Sequence, residues 1–278
     1  NSFVRGMLAL ANKDYKKAII ESKNMVNYLD GNLSLSLLLK SEVYKFEKKY
    51  EKLNEVYEQM GADKNTQTLA YRGLMEQYLR AQDYHHAFIY ADKLFNKNPN
   101  IEKIYETLVN IIIKTNNWQQ LINITEQALS KKIIDRKIYD DNVAIGFFEI
   151  AKIKKLSQTE ESKSLILKAL KLKKNFPPFI KLYIDILIQE KNYDTAKRYI
   201  KRVWSDSPHP EYKSCIFDLS QCLELDLLDL TKFVIGSTSH HQSKILNIEA
   251  SIASEKWSQA RESIKKLISN FKKNNSIG

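Results

Sequence analysis

The stretch "AQDYHHA" (residues 81–87) sets two histidines directly after a tyrosine, and its reading decides the fold. Adjacent histidines invite a metal or haem ligand, whereas a recurring frame marks a bend between two helices. The frame recurs as "NKDYKKA" (12–18), "EKKYEKL" (47–53), "TNNWQQL" (115–121), "EKNYDTA" (190–196) and "SEKWSQA" (254–260). Each copy has a polar lead, an aromatic ring, further polar residues, and a small or apolar residue three after the ring. The rings Tyr15, Tyr50, Tyr84, Trp118, Tyr193 and Trp257 are spaced 35, 34, 34, 75 and 64 residues apart. The last two gaps are each close to two periods, so one degraded copy is expected within each.

Composition agrees with a helical array. Among 278 residues there are only 7 glycines and 5 prolines, too few for the many turns that a sheet protein needs. Stretches rich in Lys, Leu, Ile, Glu and Ala favour helix. No apolar run reaches the roughly 18–20 residues that span a bilayer. The chain begins inside a repeat without an initiator Met, which reads as a piece excised from a longer protein. Its net charge of +11 comes almost wholly from lysine, with 7 arginines. Lysine without arginine argues against nucleic-acid reading, which favours the bidentate guanidinium. A solvated basic surface is the plain reading, and a patch facing a membrane or polyanion is the sharper one. The densest basic stretch comprises Lys152, Lys154, Lys155, Lys163, Lys168, Lys171, Lys173 and Lys174. Cys215 and Cys222 would lie about 10 Å apart along one helix, too far for a disulfide, and both read as buried small apolar residues.

A 34-residue period is the length of the tetratricopeptide repeat (TPR), a helix–turn–helix unit. The resemblance extends to Pro99 and Pro208, each twelve residues after the small residue of its frame, where the pattern places a closing proline. Tyr44 and Tyr78 stand nine residues before the small residue, and Leu37, Tyr71 and Tyr105 sixteen before, at packing positions of the first helix. The expected fold is all-α: one TPR-like right-handed solenoid over 1–278, with about eight helical pairs. Their expected bounds are 2–29, 33–62, 66–97, 101–132, 137–175, 178–206, 210–237 and 243–274, the fifth and seventh being irregular. Each pair buries its apolar face only against its neighbours.

Signatures of catalysis are missing. The nearest two glycines, Gly61 and Gly73, are twelve residues apart, so there is neither a GxGxxG fold nor a phosphate-binding loop. CxxC, HExxH and GxSxG are absent as well. His85 and His86 fall at the start of a second helix, where adjacent side chains diverge by about 100° and do not easily share one ion. His240 and His241 lie in a Ser-rich linker before Ser243, a candidate N-cap. His209, between Pro208 and Pro210, reads as part of a rigid corner. Asp140-Asp141 and Glu160-Glu161 read as helix starts, where acids suit the dipole. The expectation is a scaffold without catalytic residues, metal or resident cofactor.

The opening "RGMLALANKDYKKA", the "NNWQQLI" segment, "SEKWSQA" and above all "VWSDSPHPEY" (203–212) resemble, in this order, the TPR region of the proteobacterial HemY family. The likeness runs along the whole chain, and the tryptophan followed by a Pro-His-Pro corner is its most specific piece. It implies an inner-membrane protein whose two transmembrane helices would precede this chain, with the TPR domain on the cytoplasmic side. It also implies a scaffold associated with late haem (protoporphyrin) biosynthesis, with haem-biosynthesis enzymes as partners. The flavin-dependent protoporphyrinogen oxidase that shares the name is excluded by the lack of a dinucleotide motif. Two other readings stay open, a generic TPR adaptor for peptides and a haem or porphyrin carrier using exposed His, Tyr or Met.

In a regular TPR, positions on the first helices line the partner groove. Here they are Leu38, Glu42, Arg72, Glu76, Lys103, Glu106, Asn110, Lys181 and Asp185. The clamp that grips carboxyl termini resembles a basic residue followed four later by Asn. Arg72 is instead followed by Glu76, and Lys181 by Asp185, so the groove suits a mixed-charge segment or folded partner.

Overall fold

The computed structural model describes residues 2–28, 33–101, 103–237 and 240–275. Sixteen α-helices and one 3-10 turn make up the regular structure of these residues, with no strand. The fold is a TPR-type α-solenoid of eight helical pairs. The first four pairs are α1 (Ser2–Ala11) with α2 (Tyr15–Tyr28), α3 (Leu33–Phe46) with α4 (Tyr50–Gly61), α5 (Gln67–Arg80) with α6 (Tyr84–Lys97), and α7 (Ile104–Thr115) with α8 (Trp118–Ser130). The last four are α9 (Arg136–Lys154) with α10 (Thr159–Leu172), α11 (Pro177–Gln189) with α12 (Tyr193–Asp206), α13 (Lys213–Cys222) with α14 (Leu227–Ile235), and α15 (His241–Ala253) with α16 (Trp257–Asn275). Leu29, expected to close the first pair, lies outside the described residues, as do Thr238 and Ser239 of the Ser-rich linker.

Every ring of the repeated frame is the first residue of a second helix: Tyr15, Tyr50, Tyr84, Trp118, Tyr193 and Trp257. The small or apolar residue three positions on is buried in all six copies, at Ala18, Leu53, Ala87, Leu121, Ala196 and Ala260. Burial of each of the two leucines contributes about 1.5–3 kcal/mol, and the closely packed Ala positions let backbones approach. The helices before Pro99 and Pro208 end at Lys97 and Asp206, as proline requires.

The chain gathers into two compact units, Asn1–Asp135 and Arg136–Gly278. Within each unit every helix packs on the next. In the first, Leu39, Leu53, Met60, Leu74, Leu94, Phe95 and Leu108 are fully buried. In the second, Trp204, Tyr212, Phe179, Ile184, Ile200 and Leu219 belong to one continuous apolar core.

Several local expectations change. Ser243 is not a cap; it lies inside α15, is buried, and accepts a hydrogen bond from Trp204 Nε1 at 2.9 Å. His240 is the cap, its Nδ1 accepting from the Gln242 amide at 3.2 Å. Cys215 is buried, but Cys222 is exposed: seven residues return it to nearly the same face, but it is the last residue of α13, where Gln221 beside it is also exposed. Glu160 and Glu161 do open α10. Asp140 and Asp141 sit one turn into α9, where Arg136 (3.0 Å) and Lys173 (2.8 Å) pair with them.

Candidate functional site

In the first unit, α5 and α7 are the first helices of successive pairs, and a groove of ≈ 400 Å³ opens between them. Met75, Leu79, Ile101 and Ile104 supply its apolar floor, and Arg72, Glu76, Lys103 and Thr107 its polar walls. Arg72 and Glu76 are one helical turn apart and both exposed. Neither has an ion-pair partner among the described residues, so both signs of charge are offered to a ligand. Lys103 lies just outside the helix, at the N-cap of α7 with φ 61°, rather than within it as expected. Glu106 and Asn110 are exposed on α7.

Behind this wall Tyr57 of α4 lies against Gly73. A Cβ on Gly73 would come within 2.3 Å of the Tyr57 ring, so glycine is needed there for close approach. The phenol's pKa is pushed up to about 12, first by burial and then by the negative charges of Glu42 and Glu76. Tyr57 therefore stays neutral and seats the α5 turn that carries Arg72 and Glu76. Leu38 and Glu42, on α3, are half-buried.

In the second unit the predicted pair is occupied internally. Asp185 on α11 takes Lys181 Nζ at 2.9 Å and Lys155 Nζ at 3.5 Å. The Cys215 thiol donates to its other oxygen at 3.5 Å. Burial works to lower the pKa of Lys181, but the hydrogen bond and charge of Asp185 outweigh it and hold the pKa above its usual value. Burial, reinforced by Asp185, pushes the Cys215 thiol up to about 12, so it has almost no thiolate near neutrality. This cluster ties helices together rather than presenting charge.

The histidines also have local tasks. Asp83 caps α6, accepting from the His86 amide at 3.1 Å and meeting His86 Nδ1 at 2.7 Å. The His86 ring stacks on Tyr78 at 5.0 Å, and Tyr78 in turn stacks on Tyr90 at 5.7 Å. The rings of His85 and His86 stand 82° apart. His209 caps the 3-10 turn Pro210–Tyr212, accepting from the Glu211 amide at 3.2 Å. No group of three or more His, Cys, Asp or Glu among the described residues is placed to hold a metal ion. No helix among them is long and apolar enough to cross a membrane.

The sequence matches no protein-family model and no curated protein. Solved structures resemble it in fold. A chain of the Naa15/Naa10 structure bound to HypK-THB aligns with a TM-score of 0.54 at 11% identity, covering 97% of this chain and 46% of that one. This chain thus spans less than half the length of that relative. The TPR2AB domain of yeast Sti1, in complex with pHSP90, aligns with a TM-score of 0.35 at 13% identity over 80% of this chain and 96% of the other. YrrB, a TPR protein with an unusual peptide-binding site, aligns at 0.37 and 14% identity over 71% and 98%.

Proposed function

We propose that this chain is a non-enzymatic protein-interaction module whose first unit receives a mixed-charge segment of a partner in the α5–α7 groove. The observation that carries the reading is the unpaired juxtaposition of Arg72 and Glu76 above an apolar floor. Such a site rewards a ligand carrying an acid, a base and an apolar anchor, and it penalises a bare carboxyl terminus that would meet Glu76.

The order of motifs from "RGMLALANKDYKKA" to "VWSDSPHPEY" supports a narrower version. In it the module is the cytoplasmic part of a HemY-like inner-membrane scaffold that gathers haem-biosynthesis enzymes.

The test is affinity capture from solubilised membranes with the full chain and with the double variant R72E/K103E. Haem-biosynthesis enzymes retained by the wild type and lost by the variant support the scaffold. Capture of other proteins alone, lost in the same variant, leaves a generic adaptor. Equal capture by both chains removes the groove from the interaction. A saturable Soret shift with haem that His85→Ala abolishes would put a porphyrin carrier in place of both.

A further inference from the structure

The basic stretch of the second unit divides into two classes of lysine. Lys152, Lys154, Lys155, Lys163 and Lys173 are engaged by Glu149, Glu161, Asp185, Glu190 and Asp141 respectively. Lys168, Lys171 and Lys174 have no carboxylate partner among the described residues. These three line one groove of ≈ 720 Å³ between α10 and α12, the second helices of successive pairs. Arg202 stands on the opposite wall with its guanidinium 4.9 Å from the Tyr199 ring, and the wall also holds one carboxylate, Asp206. Leu167, Leu170 and Val203 give the groove an apolar floor.

We propose that this groove docks an acidic amphipathic segment of a partner protein, a second surface independent of the α5–α7 groove. Four cations against one anion select a negatively charged occupant. Lys168 and Lys171 stand one turn apart near the end of α10, and Lys174 lies in the turn just beyond it, a row that acids one and two turns apart on a partner helix can match. The floor decides the class of partner. Leu170 and Val203 are each 8% exposed, so they are recessed between the helices, where an inserted side chain reaches them and a flat bilayer does not. A single arginine among the four cations fits carboxylates met as point charges better than nucleic-acid phosphates or bases.

The experiment is fluorescence anisotropy of a labelled synthetic helix bearing Glu at i, i+3 and i+7 with Leu on the same face, titrated with the full chain. Binding that weakens as salt is raised is expected. The charge-reversed K168E/K171E/K174E chain, its fold checked by circular dichroism, is expected to bind at least about tenfold more weakly. The arginine-substituted K168R/K171R/K174R is expected to keep binding. The R72E/K103E variant is expected to bind this peptide like the wild type, whatever becomes of the first groove. Equal affinity of the wild-type and charge-reversed chains would overturn the proposal. Tighter, Lys-dependent binding to phosphatidylserine vesicles or to single-stranded RNA than to the peptide would overturn it in favour of those partners.

Discussion

Trp204 belongs to the most specific stretch of the sequence, and its use is structural. Its ring is 1% exposed, meets Tyr212 edge-on at 6.3 Å, and donates from Nε1 to Ser243, which lies 39 residues on. The Pro-His-Pro corner turns the chain so that Tyr212 can reach that ring. Trp204→Phe should destabilise by about 1–3 kcal/mol, through a cavity and a hydroxyl deprived of its donor, as read from urea unfolding. The histidines of "AQDYHHA" belong at the other extreme. Ala87 is 0% exposed, so Ala87→Trp should cost about 1–3 kcal/mol or more through overpacking. His86→Ala removes a half-exposed ring and leaves the backbone cap intact, so a change within about 0.5 kcal/mol is expected. A larger loss from His86→Ala than from Ala87→Trp would mean that the stretch is more than a bend.

At the scale of the element, the turns account for the scarcity of glycine. The first helices end with a residue at positive φ that is not glycine, as at Lys13, Lys48, Gln82, Asn116, Lys191 and Glu255. The backbone bonds are those of a Schellman ending: Gln82 N–H reaches Leu79 O at 3.1 Å and Asp83 N–H reaches Tyr78 O at 2.9 Å. Gln82→Gly should therefore raise stability by up to about 1 kcal/mol, the relief of left-handed strain exceeding the added freedom of the unfolded chain. Ala81→Gly, at φ −75°, should lower it by about 0.5–1 kcal/mol. Paired urea curves separate the two. The start of α14 offers a test by pH. The Asp226 carboxyl is held below its usual 3.8 by Lys256, at 3.0 Å, and by the Asp229 and Leu228 amides. A group depressed on folding contributes stability above its unfolded pKa and loses it as pH falls through the folded value. The stability gap between wild type and D226N should thus be full near about pH 6 and shrink as pH falls below the usual 3.8. A gap unchanged down to about pH 2 would show that the carboxylate adds nothing.

For the whole molecule, the helices gather into Asn1–Asp135 and Arg136–Gly278, each with its own packed interior. Fragments 1–135 and 136–278, made separately, should each give a helical circular dichroism spectrum and a cooperative urea transition. A non-cooperative fragment would mean that it depends on the rest of the chain for its packing.

What the sequence by itself determined is the set of features that repeat along the chain. The ring that opens each second helix and the small residue three later are local packing needs, so they recur with the period and are legible without coordinates. The eight pairs and the helix stops before Pro99 and Pro208 follow from the same periodicity. Tertiary structure alone decided what depends on partners distant in sequence. Lys163 meets Glu190 and Trp204 meets Ser243 across 27 and 39 residues, and nothing in either local stretch announces the partner. That is why Arg72 and Glu76 remain open while Lys181 and Asp185, with the same spacing, are closed by Lys155. It is also why a run of eight lysines separates into five that pair within the chain and three that line a groove. Periodicity records the forces each repeat must satisfy for itself, whereas the fate of a charge depends on which neighbours the folded chain brings within reach.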